Sequence, residues 1–116
     1  MEVLIHADGS IHVRPDLERH VREVLESKLT RFGHRLTRVE VGFNDEKVRH
    51  VGVPDRRCTI EARPTGMDTV AVTANTGEFV LSFDAAAEKL MSALETRLGK
   101  AGEVKGAPSI RTALPE

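Results

Sequence analysis

Between Glu26 and Glu40 the chain carries no carboxylate, while Lys28, Arg31, His34, Arg35 and Arg38 all fall in that gap. Cations without acidic neighbours in sequence are the residue type that binds phosphate, and they can do so without reading any base. A second basic set lies near the other end, at Lys89, Arg97 and Lys100, and a third at Arg56 and Arg57. The plain alternative is that these charges only solvate the surface of a protein, as charges do in any soluble chain.

Residues with other chemistry are sparse. His6, His12, His20, His34 and His50 are scattered without zinc-site spacing, and Cys58 cannot form a metal cluster alone, so no metal is expected. Cys58 shares an inward strand face with Ile60 and Ala62, where a free thiol acts as a small hydrophobe and not as a nucleophile. Asp45 and Glu46 lie in a polar stretch with no apolar surroundings to raise a carboxyl pKa. There is no G-x-S-x-G, no glycine-rich phosphate loop and no H-E-x-x-H. The reading is binding without catalysis, cofactor or small-molecule substrate.

Charge and composition narrow the partner. The formal net charge is −1, from 17 Lys and Arg against 18 Asp and Glu, so attraction to a polyanion must come from a local patch. With four Phe and neither Tyr nor Trp, no sheet platform is available on which to stack bases. Any RNA is therefore to be met by helices and loops. A single cysteine and no apolar run of the roughly 20 residues that a span needs predict a cytoplasmic protein without membrane contact.

The elements that position these residues follow from periodicity. A short strand over Glu2 to His6 ends in the turn composition Ala7-Asp8-Gly9-Ser10. Pro15 and Asp16 suit a first helical turn, and Leu17, Val21, Val24, Leu25, Leu29 and Phe32 form one stripe that Gly33 stops. Lys28 falls inside that stripe and is expected to extend its charge outward, whereas Arg22 is matched by Glu18 and Glu26 of its own helix. Leu36 to Phe43 alternates as a strand, Asn44 to Pro54 reads as a polar loop, and alternation around Cys58 to Arg63 and Val70 to Thr73 gives two more strands. A last helix begins near Thr76 to Glu78, with Thr76 as N-cap, and its stripe is Val80, Phe83, Ala87, Leu90, Leu94 and Leu98. Asp84, Glu88 and Glu95 flank that stripe on one side, and Lys89, Arg97 and Lys100 on the other.

The order βαβββα predicts an α+β two-layer sandwich, a four-stranded sheet with two helices on one face. One domain over residues 1–100 is expected, with 101–116 as a flexible tail rich in Gly, Pro and isolated charges.

The D-R-R-C-x-I-E-A-R strand at Asp55 to Arg63 and the D-A-A-A-E-K-L segment at Asp84 to Leu90 resemble the ribosome hibernation-promoting factor family, also called ribosome-associated translation inhibitors. The L-x-x-x-V-x-x-V-L-x-x-K-L-x-R-F run at Leu17 to Phe32 and the T-R-V-E-V strand after it fit the same family. The resemblance covers about residues 1–100 and matches the short type, without the second domain that longer relatives use to pair ribosomes. It implies a layout similar to a double-stranded RNA-binding domain with one added strand. It further implies docking on the small ribosomal subunit, against 16S-type rRNA and ribosomal proteins, in the channel of messenger RNA and the A-site and P-site transfer RNAs. There a monomer would block translation by occupancy, with no chemistry, in stressed or stationary cells.

By motif position the family's basic surface carries over to Lys28, Arg31, Lys89, Arg97, Lys100, Arg56 and Arg57, with Arg35 and Arg38 added by the acid-free gap. Both helix edges are expected to join into one phosphate-binding surface. The chain departs from the family in its net charge and in Met91-Ser92-Ala93 and Gly99, which dilute the basic run of the last helix. That leaves a different reading: a regulatory module of the same fold that binds a protein and has lost strong RNA affinity.

Overall fold

A computed structural model describes residues 1–46 and 55–99 of the chain, so Lys100 and the expected tail at 101–116 lie outside the described residues. The elements are β1 (Glu2–Ala7), α1 (Pro15–Leu29), a 3-10 segment (Thr30–Arg35), β2 (Leu36–Glu46), β3 (Asp55–Pro64), β4 (Val70–Thr76), α2 (Phe79–Leu94) and a π turn (Glu95–Gly99). The four strands form one sheet in the order β1-β2-β3-β4. β1 and β2 are parallel and are joined by the α1 crossover, while β2-β3 and β3-β4 are antiparallel. This is the α+β two-layer sandwich that the periodicity predicts.

Alternation along the strands separates two faces. Val39, Val41 and Phe43 of β2, Cys58, Ile60 and Ala62 of β3, and Val70 and Ala74 of β4 are buried and join Val21, Leu25, Leu29, Phe83, Ala87, Leu90 and Leu94 of the helices in one core. The opposite sheet face carries Arg38, Glu40, Thr59, Glu61, Arg63 and Thr73 and is covered by no helix among the described residues. α2 packs over β3 and β4 and against α1. Among the described residues, no helix is long and apolar enough to cross a membrane.

Local departures from the expected boundaries have identifiable causes. β2 runs through Glu46, past the expected end at Phe43, because Asn44 and Asp45 pair across the ladder with Arg57 and Arg56. Cross-strand backbone pairing there outweighs the low strand preference of Asn, Asp and Glu. α1 ends at Leu29 and tightens into the 3-10 segment, so Phe32 is buried from a tighter turn than the wheel assumes. Gly33 then adopts φ 56 and ψ −136, a region open essentially to glycine alone, and it turns the chain into β2.

The start of α2 differs as well. Thr76 closes β4, and Glu78 is the N-cap without a side-chain cap bond. The Thr76 hydroxyl accepts the Glu78 N–H at 3.1 Å and lies 2.8 Å from the Ser82 hydroxyl, which in turn donates to the Arg56 carbonyl. Ser82 is fully buried yet satisfied, and through it the first turn of α2 is tied to the start of β3. Ser82 and Ala86 therefore occupy the buried stripe, and Val80 is only partly covered.

Candidate nucleic-acid interface

The two helices lie side by side, and the basic edge of α1 meets the acidic flank of α2. Three pairs form in register: His20 Nε2 to Asp84 Oδ1 at 2.7 Å, Lys28 Nζ to Glu88 Oε2 at 3.1 Å, and Arg31 Nη1 to Glu95 Oε2 at 2.8 Å. The row on α2 arises because residues 84, 88 and 95 share one helix face at steps of four and seven. The His20 ring also meets the Phe83 ring edge-on at 5.7 Å, and the Arg31 guanidinium lies 5.1 Å from the centre of the Phe32 ring. Lys28 is 39% exposed and Glu88 70%, so the pair is screened and is worth no more than about 1 kcal/mol. Its larger consequence is electrostatic, because each carboxylate cancels the cation that a phosphate would use.

The remaining expected residues divide by the kind of partner they find. Arg38 meets carboxylates, Glu2 at 3.5 Å and Glu40 at 3.1 Å. Arg35 donates to the Leu98 carbonyl at 2.8 Å, Arg97 to the Asp68 carbonyl at 3.3 Å, and Lys89 to the Thr73 carbonyl at 2.8 Å. Arg56 donates to the Gly77 carbonyl at 2.9 Å and stacks over the Phe79 ring, while Arg57 donates to the Asn75 side chain at 3.3 Å. A carbonyl orients a guanidinium or ammonium without neutralising it.

Lys89 and Arg97 bond to β4 and the turn before it, whereas Glu88 and Glu95 face α1. The acidic row thus stands between the two basic edges, which do not join directly across the helix pair. Arg63, on the open sheet face opposite Arg38, belongs with these cations and was not singled out by sequence. Its alternation in β3 was the only signal available, and alternation marks a wet face without saying what charge gathers there.

On that open face the imidazole of His6, 3.1 Å away, and then the guanidinium of Arg38 hold the Glu40 carboxyl below the usual glutamate range. Burial pushes the Cys58 thiol up to about 12, so it stays protonated and packs as an apolar group. No three His, Cys, Asp or Glu side chains gather into a metal site among the described residues. A hollow of about 570 Å³ opens between the starts of the two helices, floored by Leu17, Phe79 and Val80 and rimmed by His12, Arg14 and His20.

A family model, sigma 54 modulation protein / S30EA ribosomal protein, matches residues 5–101. The chain belongs to this family. It is the ribosome hibernation family that the strand and helix motifs resemble, and its members are ribosome-associated factors. Among solved structures, the family fold recurs in a ribosomal subunit interface protein from Coxiella burnetii, with TM-score 0.65, 18% identity, and 85% of this chain and 99% of that one covered. It recurs also in the N-terminal domain of Protein Y from Thermus thermophilus, with TM-score 0.60, 17% identity, and coverage of 84% and 99%. Comparison with curated proteins finds no match. At these identities the two structures speak for the fold, and the family model carries the ribosome association.

Proposed function

We propose that the chain binds the ribosome on its small subunit, against 16S-type rRNA and ribosomal proteins in the channel of messenger RNA and the A-site and P-site transfer RNAs. It acts there as a monomer that blocks translation by occupancy and performs no reaction. The observation that carries this reading is the family match over residues 5–101, which begins within β1 and takes in every later element of the βαβββα fold. Cations held by carbonyls, such as Arg35, Lys89 and Arg97, support it because they keep the charge that phosphates require.

Sedimentation with purified small subunits at low and moderate salt tests the proposal. The protein is expected in the small-subunit fraction at low salt, with less at moderate salt as counterions compete for phosphate. Absence from that fraction at both salts would contradict it.

A second reading has its own observation: Asp84, Glu88 and Glu95 neutralise the basic edge of α1. A regulatory module that binds a protein through this mixed-charge seam would show a protein partner and no ribosomal RNA in a pulldown with the intact chain.

A further inference from the structure

Arg35 and Arg97 of the expected site do not share the environment of the α1 edge. The 3-10 segment, the β3-β4 turn and the π turn after α2 meet at one end of the molecule. Thr65 N–H donates to the Arg35 carbonyl at 2.8 Å, Arg35 reaches the Leu98 carbonyl, and Arg97 reaches the Asp68 carbonyl. Arg63 is exposed; its carbonyl accepts from the Thr37 hydroxyl at 3.0 Å, and its guanidinium makes no hydrogen bond or ion pair among the described residues. It stands directly opposite Arg38 across the β2-β3 ladder. Like charges in that position repel, and Arg38 is ion-paired with Glu2 and Glu40 whereas the Arg63 guanidinium has no ion pair among the described residues. A guanidinium has five N–H donors, so Arg35 and Arg97 keep several free after bonding one carbonyl each.

We propose that this end, through Arg35, Arg63 and Arg97, is the surface that docks on the phosphate backbone of RNA, and that the α1-α2 seam is masked by its own carboxylates. The inference rests on the ribosome-binding reading and names the surface that reading uses. An approaching phosphate finds Arg35 and Arg97 already oriented by carbonyls and Arg63 without an ion-pair partner among the described residues, whereas at Lys28 and Arg31 it must first displace Glu88 and Glu95. The Asp68 carboxylate belongs to the turn that holds Arg97, and it is the Asp68 backbone, and not its side chain, that accepts from Arg97.

The test compares two double variants that remove the same charge, Arg63→Gln with Arg97→Gln and Lys28→Gln with Arg31→Gln. Affinity for a fluorescein-labelled RNA hairpin and for small subunits is measured against salt, with thermal melting to check the fold. Each lost phosphate contact lowers the slope of log affinity against log salt by about one. The first variant is expected to lose about two in slope and at least about tenfold in affinity at low salt, and the second to change the slope by less than about half a unit. Asp68→Asn should bind more tightly than the parent. A seam variant that loses as much as the end variant overturns the proposal, and so does a parent that binds neither hairpin nor ribosome. A parent that binds the hairpin with the expected pattern but not the small subunit leaves this surface standing and removes the ribosomal reading.

Discussion

The α1-α2 seam and the end of the molecule beyond β3 carry similar side chains and differ in what those side chains meet. At the seam, Lys28 and Arg31 find the carboxylates of Glu88 and Glu95, whereas at the end Arg35 and Arg97 find the carbonyls of Leu98 and Asp68. The first arrangement cancels charge and the second holds it in place. Counting basic residues on a face therefore does not give its potential; the partner's charge does. The difference also makes a net charge of −1 compatible with the proposed RNA-binding surface, since much of the basic inventory is paired internally and a small part is left open.

The contrast can be broken from beneath. Phe83 is fully buried, and its ring lies against His20 at the head of the seam. Phe83→Ala should lower stability by about 3–5 kcal/mol in chemical denaturation. A loss below about 1 kcal/mol would show that the seam does not rest on a packed floor. A smaller effect sharpens the same contrast on the sheet. Glu40, paired with His6 and Arg38, is a surface carboxylate like those of the seam. Because its folded pKa is depressed, it stabilises the fold above the ordinary glutamate pKa, and that contribution is lost as pH falls through the lower folded value. Glu40→Gln should therefore be slightly less stable than the parent at neutral pH, and the gap should close in acid. A gap that persists in acid would trace the effect to packing instead.

Most of the architecture was legible because each element buries one face and periodicity reports that face. The stripes from Leu17 to Leu29 and from Phe83 to Leu98 and the alternation at Val39 to Phe43 and Cys58 to Ala62 reappear as core. The extension of β2 to Glu46 was not legible, since Asn44 and Asp45 are held by Arg57 and Arg56 across the ladder and not by their own propensity. The seam was half legible. The row Asp84, Glu88 and Glu95 is visible on a helical wheel, but the wheel cannot say which neighbour it will face. That is decided by how the helices settle on the sheet, and they settle with this row against Lys28 and Arg31. Arg63 was illegible as a site residue because the absence of an ion pair to it among the described residues is a property of the assembled sheet face.

The central claim is that intramolecular carboxylates decide which basic surface is open. Glu88→Gln with Glu95→Gln tests it most directly, set against Glu23→Gln with Glu26→Gln, which adds the same charge on α1 at carboxylates without an ion-pair partner among the described residues. Small-subunit cosedimentation is measured for both across a salt series. The account predicts that the seam variant gains up to about two in salt slope over the control as Lys28 and Arg31 are freed for phosphate. Two variants with the same slope would contradict it.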